Sequence, residues 1–378
     1  MDQNAIIENL KKLEYLAIDE INEIADKMGA RWENLKSEWG DPFAFDGLPE
    51  AKYKDKIKEL GNCFALYLTE KVKEKTVENI YDNLFSHVEP AKEPFLIIVA
   101  GAIASGKSTV VDCVIPEKYG SNYGLVDKDK IKASNIFREF IHAKFGDEHG
   151  NLIEDFMLGL RDAIGETAIK NKKNILLEQS CKTEDFLTTC KLAKKEYGFK
   201  IYAEVVVTPI AFTCARNVYR YVTGLIKDPK SARYEAFINI SDTYANAPKV
   251  LTKLKEEYAD AMTVYTSDIL KVETENKTVA EIFDEVANGP VSDISVEIAS
   301  KIFDFINANI GLVEDNPDIM HSLGLTKQKL LQLAKNPEMV VTALPQDWQP
   351  PKAREMLDKL NAPLGFCYSE RLRQNAEK

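Results

Sequence analysis

The stretch that most constrains this chain is Phe95–Thr109, Phe-Leu-Ile-Ile-Val-Ala-Gly-Ala-Ile-Ala-Ser-Gly-Lys-Ser-Thr. The apolar run 95–100 follows Pro94 and reads as a central parallel strand, apolar on both faces. Gly101, Ala102, Ile103, Ala104, Ser105, Gly106, Lys107, Ser108 and Thr109 then fit a phosphate-binding loop, Gly-x4-Gly-Lys-Ser/Thr. Glycines let the backbone curl so that several N–H groups face one polyphosphate. A helix starting near Lys107 adds its positive dipole end. Lys107 would reach the β- and γ-phosphates, and the Ser108 hydroxyl would take a place on Mg²⁺. The competing reading is a solvated glycine turn with an ordinary exposed lysine.

A chain of 378 residues is long for one small core, so two or three domains are expected. A net charge of −11 argues against broad nucleic-acid or anionic-membrane binding and leaves room for a local basic nucleotide pocket. The six cysteines lack Cys-x2-Cys spacing and read as reduced thiols of a cytoplasmic protein. His142 and His149 either share a metal or, more ordinarily, sit solvated on a helix and a turn. The N-terminus has no signal-peptide pattern, and no stretch is long and apolar enough to span a membrane.

Ahead of the loop, apolar periodicity predicts helices over 2–28 (with Gly29 as its stop), 50–75 and 77–85, and residues 86–94 read as a proline linker. From Phe95 strands alternate with helices, the pattern of a parallel α/β sheet. The strand candidates are 95–100, 123–127, 175–178, 201–208 and 262–266. Helices are expected over 107–114, 130–145, 152–170, 183–197, 210–224 and 246–258. A short hairpin near 269–275 and a helix over 279–287 lead to the boundary Asn288-Gly-Pro290. Beyond it, helices are expected over 294–310, 326–334 and 351–360, with no readable chemistry. The expected division is therefore 1–92 helical, 93–289 α/β, and 290–378 helical.

Ligands of such sheets sit at the carboxyl ends of the strands. There the sequence offers Asp127 and Asp129 after the second strand, and Glu178 and Ser180 after the third. A carboxylate at that edge accepts a proton from an attacking hydroxyl or holds a metal water; as an N-cap or turn acid it does neither. The helix after the fourth strand carries Arg216 and Arg220, and the turn at Asp228-Pro229 can fold Arg233 back toward Arg220. Two arginines over a polyphosphate would neutralise charge on a transferred group; surface arginines are the plainer alternative.

The segment from about 93 to 287, half of the chain, resembles the zeta-toxin family of P-loop small-molecule kinases. The motifs are the loop 101–108, Asp127-Lys-Asp129, Asn174-Ile-Leu-Leu-Glu178, Arg220-Tyr221 and Asp228-Pro-Lys-Ser-Ala-Arg233. The resemblance implies a five-stranded parallel P-loop kinase sheet and Mg²⁺-ATP as phosphoryl donor. It makes Asp129 the catalytic base and puts Arg220 and Arg233 on the ATP phosphates. It places Asp127, Glu178, Ser180 and Lys182 on the acceptor side. Well-known members phosphorylate the 3′-hydroxyl of UDP-N-acetylglucosamine. The family often has Glu-Gly-Thr followed by a substrate-binding Arg, where this chain has Glu178-Gln-Ser-Cys-Lys182. A lysine cannot repeat a bidentate guanidinium contact, so the acceptor carries over less well than ATP. Family toxins are often held by a three-helix antitoxin, which the resemblance extends to residues 1–92 in cis or to a separate chain in trans. The rival readings are a polynucleotide, NAD or antibiotic kinase, and an ATP-gated switch or scaffold.

Overall fold

The computed structural model describes residues 2–44, 50–128, 131, 134–145, 149–227, 232, 234–266, 272, 277–289 and 293–324. Its strands are β1 (Phe95–Gly101), β2 (Gly124–Val126), β3 (Ile175–Gln179), β4 (Lys200–Val206) and β5 (Ala261–Tyr265), in one sheet of order β2-β3-β1-β4-β5. β1 runs parallel to β3 and β4, with Ile98 opposite Leu177 on one side and Ala203 on the other. Leu96 through Ala100 are fully buried, as a strand covered on both faces requires. This is the expected parallel α/β kinase-type sheet with helices before and after it.

By contacts the chain divides into two compact units, Met1–Val88 with Gly124–Asn171, and Glu89–Tyr123 with Lys172–Lys378. The first unit begins with α1 (Gln3–Leu10), α2 (Ile18–Trp39), α3 (Glu50–Ala65) and α4 (Glu70–Phe85). Among the described residues, four helices stand ahead of β1 where three were expected. The Glu20 carboxylate accepts the Ala17 N–H at 2.8 Å and starts α2 after a turn. Gly29 does not stop that helix; a side chain there would meet open space. Thr69 accepts the Val72 N–H and starts α4, which splits the helix expected over 50–75. α7 (Arg138–Phe145) and α8 (His149–Lys170) complete the unit. Its core joins Trp32, Phe64 and Phe137, with Phe64 5.8 Å from Phe137 and 6.1 Å from Trp32 between ring centres. Thus α2 and α3 share one aromatic cluster with residues from 124–171.

In the second unit, β1 leads into a helical run from Lys107 to Tyr119, made of α5 (Lys107–Thr109), a π turn (Val110–Val114) and α6 (Ile115–Tyr119). Pro116 lacks an N–H and crowds the preceding turn, and the Ile115 N–H bonds back to Val110 across the widened turn. α9 (Leu187–Tyr197) follows β3, and α10 (Ile210–Lys227) follows β4. α11 (Phe237–Glu257) starts nine residues before its expected position and holds Pro248 in its interior. α12 (Val279–Asn288) opens with a reciprocal cap between Thr278 and Glu281. α13 (Asp293–Ala308) and a 3-10 turn (Ile310–Leu312) pack on α10: Phe212, Ala215, Val218 and Val222 share a core with Ile302, Phe305, Ile306 and Ile319. The helices expected at 326–334 and 351–360 lie outside the described residues. So does the hairpin near 269–275 apart from Val272, whose N–H bonds to the Val264 carbonyl. Among the described residues, no helix is long and apolar enough to cross a membrane.

Candidate phosphate-loop active site

The loop leaves β1 at Gly101, where there is no room for a side chain: a Cβ would lie 2.6 Å from the Val206 carbonyl oxygen and 2.7 Å from Ser105 Oγ. Ala104 and Gly106 take left-handed backbone conformations, with φ of 60° and 104°. Gly106 adopts this freely; Ala104 carries strain that the surrounding structure must hold. Lys107 curls back over the loop, its ammonium donating to the Gly101 and Ala102 carbonyls at 2.9 Å each. Ser108 is exposed at the first helical turn, and Ile103 and Thr109 are half-buried.

Behind the loop lies a buttress. Thr208, just past β4, donates from its hydroxyl to the Ser105 carbonyl at 2.8 Å. The Tyr244 hydroxyl of α11 hydrogen-bonds the Thr208 carbonyl and lies 2.7 Å from the Thr213 hydroxyl of α10. Burial holds the Tyr244 phenol above its usual range, so it serves as a neutral hydrogen-bonding group. Arg216, half-buried on α10, donates to the Ser105 carbonyl at 3.4 Å, and its guanidinium is 3.7 Å from where a Gly106 Cβ would stand. The Ser105 hydroxyl is fully buried and has no hydrogen-bond partner among the described residues. Such an orphan costs on the order of 1–3 kcal/mol unless a ligand or water completes it. The close glycine cradle, the orphaned hydroxyl, the Lys107 ammonium and the open Ser108 hydroxyl suit a metal-bound polyphosphate. Among the described residues, no cluster of three or more His, Cys, Asp or Glu could hold a metal without such a ligand.

The end of β3 places Glu178 opposite Val99 and Gln179 opposite Ala100, beside the strand that feeds the loop. Glu178 and Ser180 are half-buried. Cys181 follows in a left-handed conformation, φ 58°, and is buried. Burial pushes its thiol up to about 12, against the pull of the Lys107 charge. Lys182 is held by α11: its ammonium donates to Asn239 Oδ1 at 2.6 Å and stands 3.6 Å from the Asp242 carboxylate.

Arg220 is exposed on α10 and donates to Asn217 Oδ1 at 3.5 Å. Asn217, buried, also clasps the returning chain, donating to the Glu235 carbonyl at 2.8 Å and accepting the Glu235 N–H at 3.3 Å. Arg233 and Asp129 lie outside the described residues. Asp127 is half-buried at the end of β2 in the first unit, and its backbone carbonyl accepts the Ile131 N–H.

Sequence reasoning missed the buttress residues Thr208, Thr213 and Tyr244, and the Lys182 partners Asn239 and Asp242. Thr208 had a signal, since it ends an apolar strand where ligands bind. Asn239, Asp242 and Tyr244 had none, because residues 237–245 do not read as helix.

A family model described as zeta toxin matches residues 51–285. Among curated protein sequences, none matches the chain significantly. A solved structure from the PezAT chromosomal toxin–antitoxin system of Streptococcus pneumoniae superposes with a TM-score of 0.55 at 18% identity, covering 62% of this chain and 96% of that one. An AvrRxo1-ORF1:ORF2 complex gives 0.42 at 13% identity, over 79% and 95%. The same complex with ATP gives 0.41 at 12%, over 79% and 96%. The first likeness supports the fold described above. The matched segment includes α3 and α4 along with the sheet.

Proposed function

The chain belongs to the zeta toxin family of ATP-dependent kinases, and from that premise we propose that it transfers the ATP γ-phosphoryl group to a hydroxyl of a nucleotide-containing acceptor. The leading acceptor is UDP-N-acetylglucosamine at its 3′-hydroxyl, and the biological role is that of a toxin. The observation that carries this reading is the phosphate loop, with Lys107 folded back over a turn that leaves β1 at Gly101, where no side chain fits.

In this reading Lys107 leaves the Gly101 and Ala102 carbonyls for the β- and γ-phosphate oxygens, and the loop N–H groups of 102–109 hold the rest. Ser108 would hold Mg²⁺, which would neutralise charge on the phosphates. The acceptor oxygen forms the new bond to phosphorus while its proton passes to Asp129. The bond to the bridging oxygen breaks, and ADP departs. Arg220 and Arg233 draw the charge spread over the group in flight. Glu178 positions acceptor or metal-bound water, and Asp127, Ser180 and Lys182 contact the acceptor. Arg216, beside the loop, joins this set on the strength of its bond to Ser105.

We also propose an antitoxin as partner, either a separate chain or residues 1–92 acting in cis on the 93–289 kinase, in the cytoplasm. The shared aromatic core of α2, α3 and 124–171 bears on its test. Removing residues 1–90 would strip that core, so surface substitutions on α1 and α2 are the proper probe. Rising ATP turnover in such variants supports inhibition in cis; unchanged turnover ends that idea.

Single-turnover transfer tests the catalytic reading. Lys107→Ala should lose ATP binding and transfer together. Asp129→Ala should bind ATP and transfer nothing. Substantial transfer by Asp129→Ala would remove it as the base.

A further inference from the structure

Residues 293–324 lie beyond the matched family segment, and in the sequence they carry no readable chemistry. In the fold they are the back wall of α10, with Phe305, Ile306 and Ile319 packed against Phe212 and Val218. From that wall Asp318, His321 and Ser322 meet the chain returning from α10. Asp318 Oδ2 accepts both the Tyr234 hydroxyl, at 2.8 Å, and the Phe237 backbone N–H, at 3.0 Å. The Ser322 hydroxyl lies 3.1 Å from the same phenol, and the His321 ring meets Phe237 edge-on at 5.7 Å. On its other side this short segment is gripped by Asn217 through both polar groups of the Glu235 backbone. Asn217 Oδ1 is also the atom to which Arg220 donates.

We propose that Asp318 is a positioning residue for phosphoryl transfer, setting the place of Arg220 through residues 234–237 and Asn217. The inference rests on the reading of Arg220 as a phosphate contact. A single carboxylate oxygen that accepts a phenol and a backbone amide fixes both relative to the wall. Without it the segment loses two anchors at once, and the Asn217 clasp that shares an oxygen with Arg220 shifts with it. Catalytic groups tolerate little displacement: about 1 Å is worth on the order of a hundredfold in rate. The C-terminal wall is then part of the working enzyme rather than an appendage.

The test is a double-mutant cycle on the full chain, reading kcat and KM for ATP consumption with UDP-N-acetylglucosamine as probe acceptor, beside thermal melting. Asp318→Ala should lower kcat about tenfold to a hundredfold, with little change in KM for ATP. Asp318→Asn keeps an acceptor oxygen at the same place and should recover most of the rate. In an Arg220→Ala background, Asp318→Ala should add almost nothing. If Asp318→Ala runs at the parent rate while Arg220→Ala is impaired, this inference falls and the arginine reading stands. If Arg220→Ala itself runs at the parent rate, the arginine reading falls and takes the inference with it. An equal loss in both backgrounds makes Asp318 a packing residue only and overturns the proposal. Should Asp318→Ala fail to fold, Tyr234→Phe, which removes one hydroxyl, takes its place in the same cycle and is judged by the same outcomes.

Discussion

The Thr208 hydroxyl donates a 2.8 Å hydrogen bond to the Ser105 carbonyl, tying the end of β4 to the crown of the phosphate loop. The bond is buried, so its loss leaves a polar group with weaker compensation. Thr208→Val keeps the shape and removes the donor. It should cost about 1–3 kcal/mol of stability and raise KM for ATP several-fold. Denaturant unfolding and ATP titration check the two effects separately.

Gly101→Ala places a methyl group 2.6 Å from the Val206 carbonyl, which belongs to the neighbouring strand and cannot swing aside. The overpacking should cost about 1–3 kcal/mol and distort the loop, so both melting temperature and ATP affinity fall. A Gly101→Ala protein with parental ATP affinity would show that the loop relaxes more freely than its contacts imply.

Lys182 spends its hydrogen bonds on Asn239 and its charge beside Asp242. If it serves the acceptor, Lys182→Ala and Asn239→Ala should both raise KM for the acceptor and leave KM for ATP within about twofold. Steady-state kinetics with each substrate varied in turn measures this.

The sheet was legible because β1 is apolar on both faces and each strand ends in turn or polar residues, so periodicity and the loop motif agree. The start of α11 was not. Residues 237–245, Phe-Ile-Asn-Ile-Ser-Asp-Thr-Tyr-Ala, are β-branched, aromatic or polar and favour no helix on their own. Distant partners build that turn: Phe237 donates to Asp318, and Tyr244 bonds across to Thr208 and Thr213. The same reason hid Asp318, whose partner lies 81 positions away. The N-terminal helix count slipped on local capping, since Glu20 and Thr69 start helices inside stretches whose apolar spacing looked continuous. Arg216 and Arg220 were equal in the sequence; in the fold Arg216 donates to the Ser105 carbonyl of the loop and Arg220 to Asn217 Oδ1.

Buried thiols, Cys63 and Cys181 among them, contribute to an alkaline limit on stability. Burial raises Cys181 to about 12 and Cys63 to about 11, from an ordinary value of 9.0. The folded state therefore holds these protons more tightly than the unfolded one. Their contribution is full below pH 9 and is lost as pH climbs through 11 to 12. Unfolding free energy should fall over that window, and replacing both thiols with alanine should make the fall shallower; Cys190 and the buried phenols of Tyr67 and Tyr244, raised by the same desolvation, carry the rest. At pH 8 neither thiol should react with iodoacetamide until the protein unfolds.

The C-terminal wall should behave as core. Phe305 is fully buried between α13 and α10. Phe305→Ala should cost about 3–5 kcal/mol, measured by denaturant unfolding.

The most direct test of the kinase account is mass spectrometry of UDP-N-acetylglucosamine after incubation with Mg²⁺-ATP and the full-length chain, run beside Asp129→Ala and Lys107→Ala. The account predicts one added phosphoryl group on the sugar nucleotide with the parent protein and none with either variant. Slow ATP hydrolysis with no phosphorylated acceptor, or equal product from parent and Asp129→Ala, would contradict it.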